Sequence, residues 1–446
     1  MTETRPAAIG AGDGPPHLVL IVGIGGLPAP DALRSVLTVT PRVSVVFVTA
    51  WTDAAPLRAL WERLGVAASG GEFLAVPDLD SAVAAGVALH ERLPVAGVVT
   101  YSEILLQPQA GIVERLGLPG NGIEAVSIAQ SKARQRAVFA EHGVPAPRFA
   151  EILGEDDIDT AVEAVGLPAV FKPSLGAGSQ NVIKAHTREE IVQAYRSARA
   201  TKTPFIQRDD AFLLEEPMPV EGREDSDYAD YVSVESLLLD GKAEHVAISD
   251  RLRLRHGYVE EGLVLPSRLP VEQTAAIADC TEQALRAIGL THGAMHTEIA
   301  LTPDGPKVIE VNARAGGPIP TMLKAAADHD FAADIARVSL GRPPGPRPRF
   351  TGVSWFRFVP IPAGEWRVVS QRTAEEARQK FPELIQLSLR FTPGQTASRK
   401  NTQHLASFTV RGDTREEARL LSADVERFLA IVLEPANKGD AVGDGR

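Results

Sequence analysis

Glu298, Glu310 and Asn312 stand in a segment that could bring their oxygens to one point: residues 293 to 317 read GAMHTEIALTPDGPKVIEVNARAGG. Polar and apolar residues alternate on both sides of Asp304-Gly305, a dipeptide that favours hairpin turns. Because successive side chains of a strand point to opposite faces, Ala294, His296, Glu298 and Ala300 share one face. On the returning strand Val308, Glu310 and Asn312 share a face, so Glu298 sits across from Glu310 or Asn312, with Arg314 just past the strand. Two acids and an amide facing each other repel or demand water. A hard, oxygen-loving cation removes that conflict. Mg²⁺, or alternatively Mn²⁺, bridging phosphate oxygens uses one or two carboxylates in this way. Taken alone the pattern also fits an exposed hairpin with chance acids, but Asn-Ala-Arg-Ala-Gly-Gly is hard to explain as an ordinary hairpin exit.

A second candidate is Val170-Phe171-Lys172-Pro173-Ser174-Leu175-Gly176-Ala177-Gly178-Ser179. An apolar strand delivers Lys172, and the small residues after it let backbone N–H groups approach an anion closely. The lysine would meet phosphate as a point charge. It precedes the glycines, so this is not a Walker P-loop, and many surface turns carry two glycines. In a third stretch, Phe212-Leu213-Leu214-Glu215-Glu216-Pro217-Met218, an apolar strand ends in two acids, a proline and a methionine. It could offer backbone groups and an apolar floor to a flat base; a strand end with a solvated acidic pair accounts for it equally well. Val22-Gly23-Ile24-Gly25-Gly26 invites a dinucleotide reading, but Pro28 stands where the fingerprint's third glycine belongs, and a tight turn after a strand at the edge of the sheet is favoured.

The elements that must hold these residues follow from periodicity. Strands at His17–Val22, Val43–Thr49 and Val95–Thr100 alternate with helices at Leu57–Leu64 and Leu79–Glu91, which implies a parallel sheet covered on both faces. A Rossmann-like domain is therefore expected over residues 17–125, after a Pro-, Gly- and Ala-rich lead-in (1–16) without the apolar stretch of a signal peptide. A helix over Glu124–His142 should end at Gly143-Val144-Pro145, where glycine caps and proline prevents resumption. Strand–helix–strand at Phe149–Ile152, Asp157–Val165 and Ala169–Lys172 follows, and strands dominate Phe212–Val311. The expected central domain spans 126–345. Gly341–Pro348 reads as a linker, and 346–435 as a small α+β unit: strands Val353–Val359, Arg367–Val369 and Ser407–Val410, helices Ala374–Phe381 and Arg415–Leu429. Residues 436–446 are expected to be a flexible tail. The fold class expected is thus α/β and α+β in succession.

The 446 residues, 44% hydrophobic and 23% charged, are ordinary for a soluble globular protein and long enough for several domains. A formal net charge of -11 argues against a nucleic-acid partner. Cys280 is the sole cysteine, which excludes an intrachain disulfide and a Cys-based zinc site. It falls in the helical pattern Val271–Ile288, as a small buried hydrophobe would. No apolar run approaches the ~20 residues of a membrane span, so a cytoplasmic location is expected.

Taken in order, Ser131-Lys132 before Gly-Val-Pro, Lys172 with its glycine loop, Glu215-Glu216-Pro217-Met218, then Glu298, Glu310, Asn312 and Arg314 resemble the ATP-grasp superfamily, over roughly residues 125–340. The resemblance implies an ATP-grasp fold in which Lys132, Lys172, Ser174, Gly176, Gly178 and Ser179 contact ATP phosphates. It further implies that Glu215 to Met218 hold the adenine, Asp230 the ribose, and Glu298, Glu310 and Asn312 the Mg²⁺. Within the superfamily the chain resembles bacterial L-amino acid ligases that make dipeptides. Tyr258-Val259-Glu260-Glu261-Gly262-Leu263, Met295-His296-Thr297-Glu298 and the last ~95 residues carry this likeness.

The activity so implied is ATP-dependent joining of a carboxylate to an amine through an acyl phosphate. Glu260 would receive a substrate ammonium, Arg314 would stabilise the transferring phosphate and the oxyanion, and Gly317 would offer a backbone N–H. Two departures stand out: Glu261-Gly262-Leu263 where relatives often have Thr-Gly-His, and an acidic insertion over Glu221–Asp230. The substrates implied are small-molecule acids and amines, and homodimers are common among such chains. Other readings are a biotin-carboxylase-like enzyme, a peptide ligase for a non-proteinogenic acid, and a non-catalytic nucleotide-binding module.

Overall fold

The structure, a computed structural model, describes residues 14–176, 180–200, 211–220, 222, 226–254, 258–399 and 404–436. The first sheet is wholly parallel, ordered 73–76, 43–48, 18–22, 97–99. Its two central strands are fully buried, as near-continuous Val/Ile/Leu runs require when helices cover both faces. Three elements escape the sequence pattern, the helix Ala29–Val39, the short strand Phe73–Val76 and the helix Leu106–Leu116. The strand Leu18–Val22 is interior rather than at an edge, and the order of strands reverses beside it. Gly26 then has φ +74°, and a Cβ there would meet the Tyr101 carbonyl oxygen at 2.0 Å. The glycines serve close packing of two loops at the sheet's carboxyl edge.

The expected helix Glu124–His142 is two helices, Ile123–Gln130 and Lys132–His142. Ser131 is extended between them and caps the second by accepting a hydrogen bond from the Arg134 amide. The break is held from outside: the Lys132 amide donates to the Ser174 carbonyl, and the Ser174 hydroxyl meets the Ser131 hydroxyl at 3.0 Å and the Ala133 amide at 3.2 Å. Lys132 therefore begins a helix beside the end of the strand Ala169–Pro173. That strand lies in an antiparallel sheet ordered 149–152, 212–215, 169–173, 183–185, whose core includes Phe171 and Phe212 at 5.2 Å.

The largest sheet has eight strands in the order 305–312, 293–302, 228–239, 242–252, 262–265, 353–360, 404–412, 384–389. It runs without interruption from the hairpin that carries Glu298 and Glu310 into the C-terminal segment. The strands after Gly341–Pro348 thus extend the central sheet, while 365–370, 396–398 and 432–435 form a small sheet of their own. The first sheet shares a core with the large one: Leu18, Val45, Leu237, Ile319, Phe331 and Phe356 belong to one buried cluster. Cys280 is buried in the helix Val271–Ile288. Among the described residues no helix is long and apolar enough to cross a membrane.

Candidate functional site

The hairpin strands Gly293–Thr302 and Gly305–Asn312 pair in a register that sets Glu298 opposite Glu310 and His296 opposite Asn312, with a bulge just after Glu298. Glu298 and Glu310 side chains are 13% and 21% exposed, enough to reach a cavity and too little to be solvated freely. Each is neutralised from one side. The Arg251 guanidinium lies 3.3 Å from Glu298 and 2.7 Å from Glu260; the Lys132 ammonium lies 2.8 Å from Glu310. Burial pushes Glu310 upward, but Lys132 and Asn312 outweigh it and hold its carboxyl well below the usual range. For Glu298 burial is likewise outweighed, chiefly by Arg251. Glu260 goes the other way: burial, reinforced by Glu298 and Glu310, overcomes Arg251 and raises it.

Two cavities meet at these groups. A narrow slot of about 130 Å³ runs between the two antiparallel sheets, with apolar walls from Val170, Met218, Tyr231 and Ile309 and charges from Lys172, Glu215 and Glu216. A larger cavity of about 550 Å³ opens beyond it, lined by Glu103, Arg251, Leu263, Asn312, Arg314 and Gly317 among others. Lys132, Gly176, Glu260, Glu298 and Glu310 line both. The larger volume falls within the ~300–1,000 Å³ common for small-molecule sites.

Inside the slot Lys172 and Arg136 both hold Glu215, at 2.7 and 2.8 Å. Burial brings Lys172 down to about 8 against the pull of Glu215. Glu215 stays below its ordinary value because Arg136 and Lys172 outweigh burial. Glu216 turns outward to Arg148, at 2.9 Å. In the larger cavity His296 is raised to about 9: burial would lower it, but the carboxylates of Glu235 and Glu298 prevail. Arg314 Nη2 approaches the Asn312 amide oxygen at 3.4 Å, Nη1 donates to the Ala315 carbonyl, and Nε faces Glu103 at 2.8 Å.

Three of the expected residues line neither cavity. Ser174 is completely buried and its hydroxyl locks the Ser131 break, so it lines neither cavity. Asp230 lies one residue from Tyr231 on the strand Tyr228–Leu239; alternation gives the slot to Tyr231 and the opposite face to Asp230. Pro217 is passed over between Glu216 and Met218, which both line the slot. Gly178 and Ser179 lie outside the described residues, as do Glu221, Arg223, Glu224 and Asp225 of the acidic insertion. Glu261, the carboxylate in the departure from the family pattern, is bound by Arg357 at 2.8 Å, while Leu263 is buried and lines the larger cavity.

Sequence reasoning missed Arg136, Tyr231, Glu235, Arg251 and Glu103. A signal existed for two of them. Glu235 and Arg251 interrupt the long strand patterns YVSVESLLL and VAISDRL, and a charge in a buried strand must find a partner or a task.

The oxygens of Glu298, Glu310 and Asn312 form a hard donor set that suits Mg²⁺. Among the described residues no group of three or more His, Cys, Asp or Glu side chains could hold a metal alone. With two carboxylates and an amide, phosphate oxygens and water must complete the coordination, as is usual for Mg²⁺.

Residues 165–322 match the ATP-grasp domain family. The chain is 30% identical to the alanine–anticapsin ligase of Bacillus subtilis over 269 residues, 56% of each chain. It is 30% identical to carnosine synthase 1 of Gallus gallus over 266 residues, 54% of this chain and 27% of that one. The chain spans about half the length of the curated relatives it matches. The crystal structure of an L-amino acid ligase from Bacillus licheniformis superposes with a TM-score of 0.73 at 19% identity, covering 96% of this chain and all of that one. The fold is shared with that enzyme.

Proposed function

Starting from the ATP-grasp domain this chain carries, we propose that it is an ATP-dependent ligase that activates a carboxylate as an acyl phosphate and joins it to an amine, forming an amide between amino acids or related acids. The observation that carries the reading is the meeting of two cavities at Lys132, Glu260, Glu298 and Glu310. A nucleotide in the slot then presents its last phosphate to a carboxylate in the larger cavity.

A carboxylate is a poor electrophile. One of its oxygens attacks the γ-phosphorus, the bond to the β-phosphate oxygen breaks, and ADP leaves. The amine nitrogen then attacks the acyl carbonyl, the proton it sheds passes to solvent or buffer, and phosphate departs with the bond electrons. Phosphoryl transfer asks for alignment and charge neutralisation more than for covalent help. Lys132 and Lys172 supply positive charge along the phosphates. Glu298, Glu310 and Asn312 hold Mg²⁺, which when bound screens the phosphate oxygens from the incoming carboxylate. Arg314 faces the charge that develops on the transferring group and on the tetrahedral oxygen. Glu260 takes the ammonium of the carboxylate donor, and Gly317, near the start of the helix Ile319–Ala327, would offer its backbone N–H to an anionic oxygen. Alanine–anticapsin ligase is named for the two molecules it joins, which supports the same reading.

The test is a matrix of phosphate-release assays over pairs of amino acids and related acids, with product masses. Amino-acid-dependent ADP formation together with a mass equal to both substrates less water is expected. ATP turnover that depends on bicarbonate, or nucleotide binding without ADP formation across the matrix, overturns the reading.

A further inference from the structure

Glu103 comes from the first sheet unit and belongs to none of the motifs above. It opens the short 3-10 turn after the strand Gly97–Val99. In an open parallel sheet, ligands are met in the crevice beyond the carboxyl ends of the strands, where strand order reverses. Here the order reverses between 18–22 and 97–99, and Glu103 stands at that point. The two loops there are tied, the Ser102 hydroxyl donating to the Ile24 carbonyl. The unit is docked on the rest of the chain: Tyr101 donates to the Ala332 carbonyl at 2.8 Å within a shared core.

The side chain is held from behind. Gln130 Nε2 donates to the Glu103 carbonyl at 2.7 Å and to its Oε1 at 3.1 Å, and Gln107 in turn donates to Gln130. Oε2 faces Arg314 Nε at 2.8 Å, both side chains 19% exposed. Asn312 and Ala315 engage one N–H on each terminal nitrogen of Arg314. The guanidinium is thereby held by charge from the Glu103 side, where Oε2 accepts no hydrogen bond, and by hydrogen bonds on its flanks; the remaining terminal N–H groups stay available to the cavity.

We propose that Glu103 is a positioning residue for the ligation reaction, orienting Arg314 from the opposite wall of the larger cavity so that its free N–H groups meet the transferring phosphate. This rests on the ligase reading given above. The first sheet unit thereby completes the reaction centre, since without its carboxylate Arg314 is tethered only from its own strand end.

The experiment uses the full-length protein with Glu103→Gln, Arg314→Ala and the double variant. Expected for Glu103→Gln are a kcat tenfold or more below wild type, KM values for both substrates and nucleotide Kd within about twofold, and an unchanged Tm. In the Arg314→Ala background the same change should add almost nothing, because the group it orients is gone. Glu103→Asp should recover part of the rate. A reaction-independent readout is the side-chain order parameter of the Arg314 Nε–H vector, identified by its disappearance in Arg314→Lys; it should fall in Glu103→Gln, because the ion pair that orients the guanidinium is lost. An unchanged kcat, a loss confined to KM, full additivity with Arg314→Ala, or an unchanged Nε–H order parameter each overturns the proposal. If wild type forms no amide with any pair, the ligase reading fails on that result, and the order-parameter readout still decides whether Glu103 orients Arg314.

Discussion

At the level of single residues, the site is built from charges that satisfy one another until substrates arrive. Lys132 answers Glu310, Arg251 answers Glu298 and Glu260, and Arg314 answers Glu103. Taking away a group that meets the transferring phosphate should be costly: Glu298→Ala or Arg314→Ala is expected to lower kcat by on the order of a hundredfold or more at saturating Mg²⁺. Near-normal turnover in either variant, read by coupled ADP release, would remove these residues from the site. Glu260→Ala should raise KM for the carboxylate donor and leave nucleotide affinity unchanged, since the Arg251 it abandons still has Glu298. Isothermal titration with ADP alongside steady-state kinetics separates the two effects; a weakened nucleotide would place Glu260 in the slot's binding set instead. The acids of the hairpin were legible from alternation and the turn dipeptide alone. Ser174 was not, because a hydroxyl in a glycine-rich loop looks the same whether it faces a phosphate or, as here, the backbone of Ser131 and Ala133.

At the level of elements, the placement of Lys132 depends on a helix that stops and restarts. No residue between Glu124 and His142 forbids a continuous helix, and Ser131 is tolerated in helix interiors at small cost. The break pays off only because Ser174 is there to receive it, a contact 43 positions away. The strand Phe212–Glu215 is likewise secured by Arg136, whose guanidinium is 1% exposed and binds Glu215 and the Ile309 carbonyl. Arg136→Ala strips a buried carboxylate of one of its two cations. Breaking such a pair from one side typically costs about 3–5 kcal/mol. An unfolding free energy lowered by up to that amount is expected, since Lys172 still holds Glu215, with nucleotide affinity reduced as Lys172 turns more fully to it. A loss under about 1 kcal/mol by urea unfolding would mean that the pair is not buried in solution.

At the level of the whole molecule, the candidate site lies where three sheets converge, and the largest of them ties the C-terminal segment to the hairpin. His404, on the strand His404–Gly412, stacks on Phe358 at 3.9 Å and meets the Glu260 carbonyl at 3.1 Å. Burial pushes it down from 6.5 to about 4. The unfolded chain therefore binds a proton between those values that the folded chain does not. The stability this confers is full above pH 6.5 and is lost as pH falls through 4. A His404→Gln variant should lack that part of the acid dependence, on the order of 2–3 kcal/mol across the window; parallel unfolding curves for variant and wild type through the window would refute it. Residue types and spacing by themselves determined the parallel first sheet, the hairpin with its facing carboxylates, and the lysine at the end of a buried strand. All of these follow from local periodicity and turn chemistry. Only the tertiary structure decided the break at Ser131, the turn of Asp230 away from the slot, the cations that hold each carboxylate, and the reach of Glu103 to Arg314. Those depend on which distant segments share a dielectric interior, where an unpaired charge is costly enough to select its partner, and spacing along the chain carries no record of that distance.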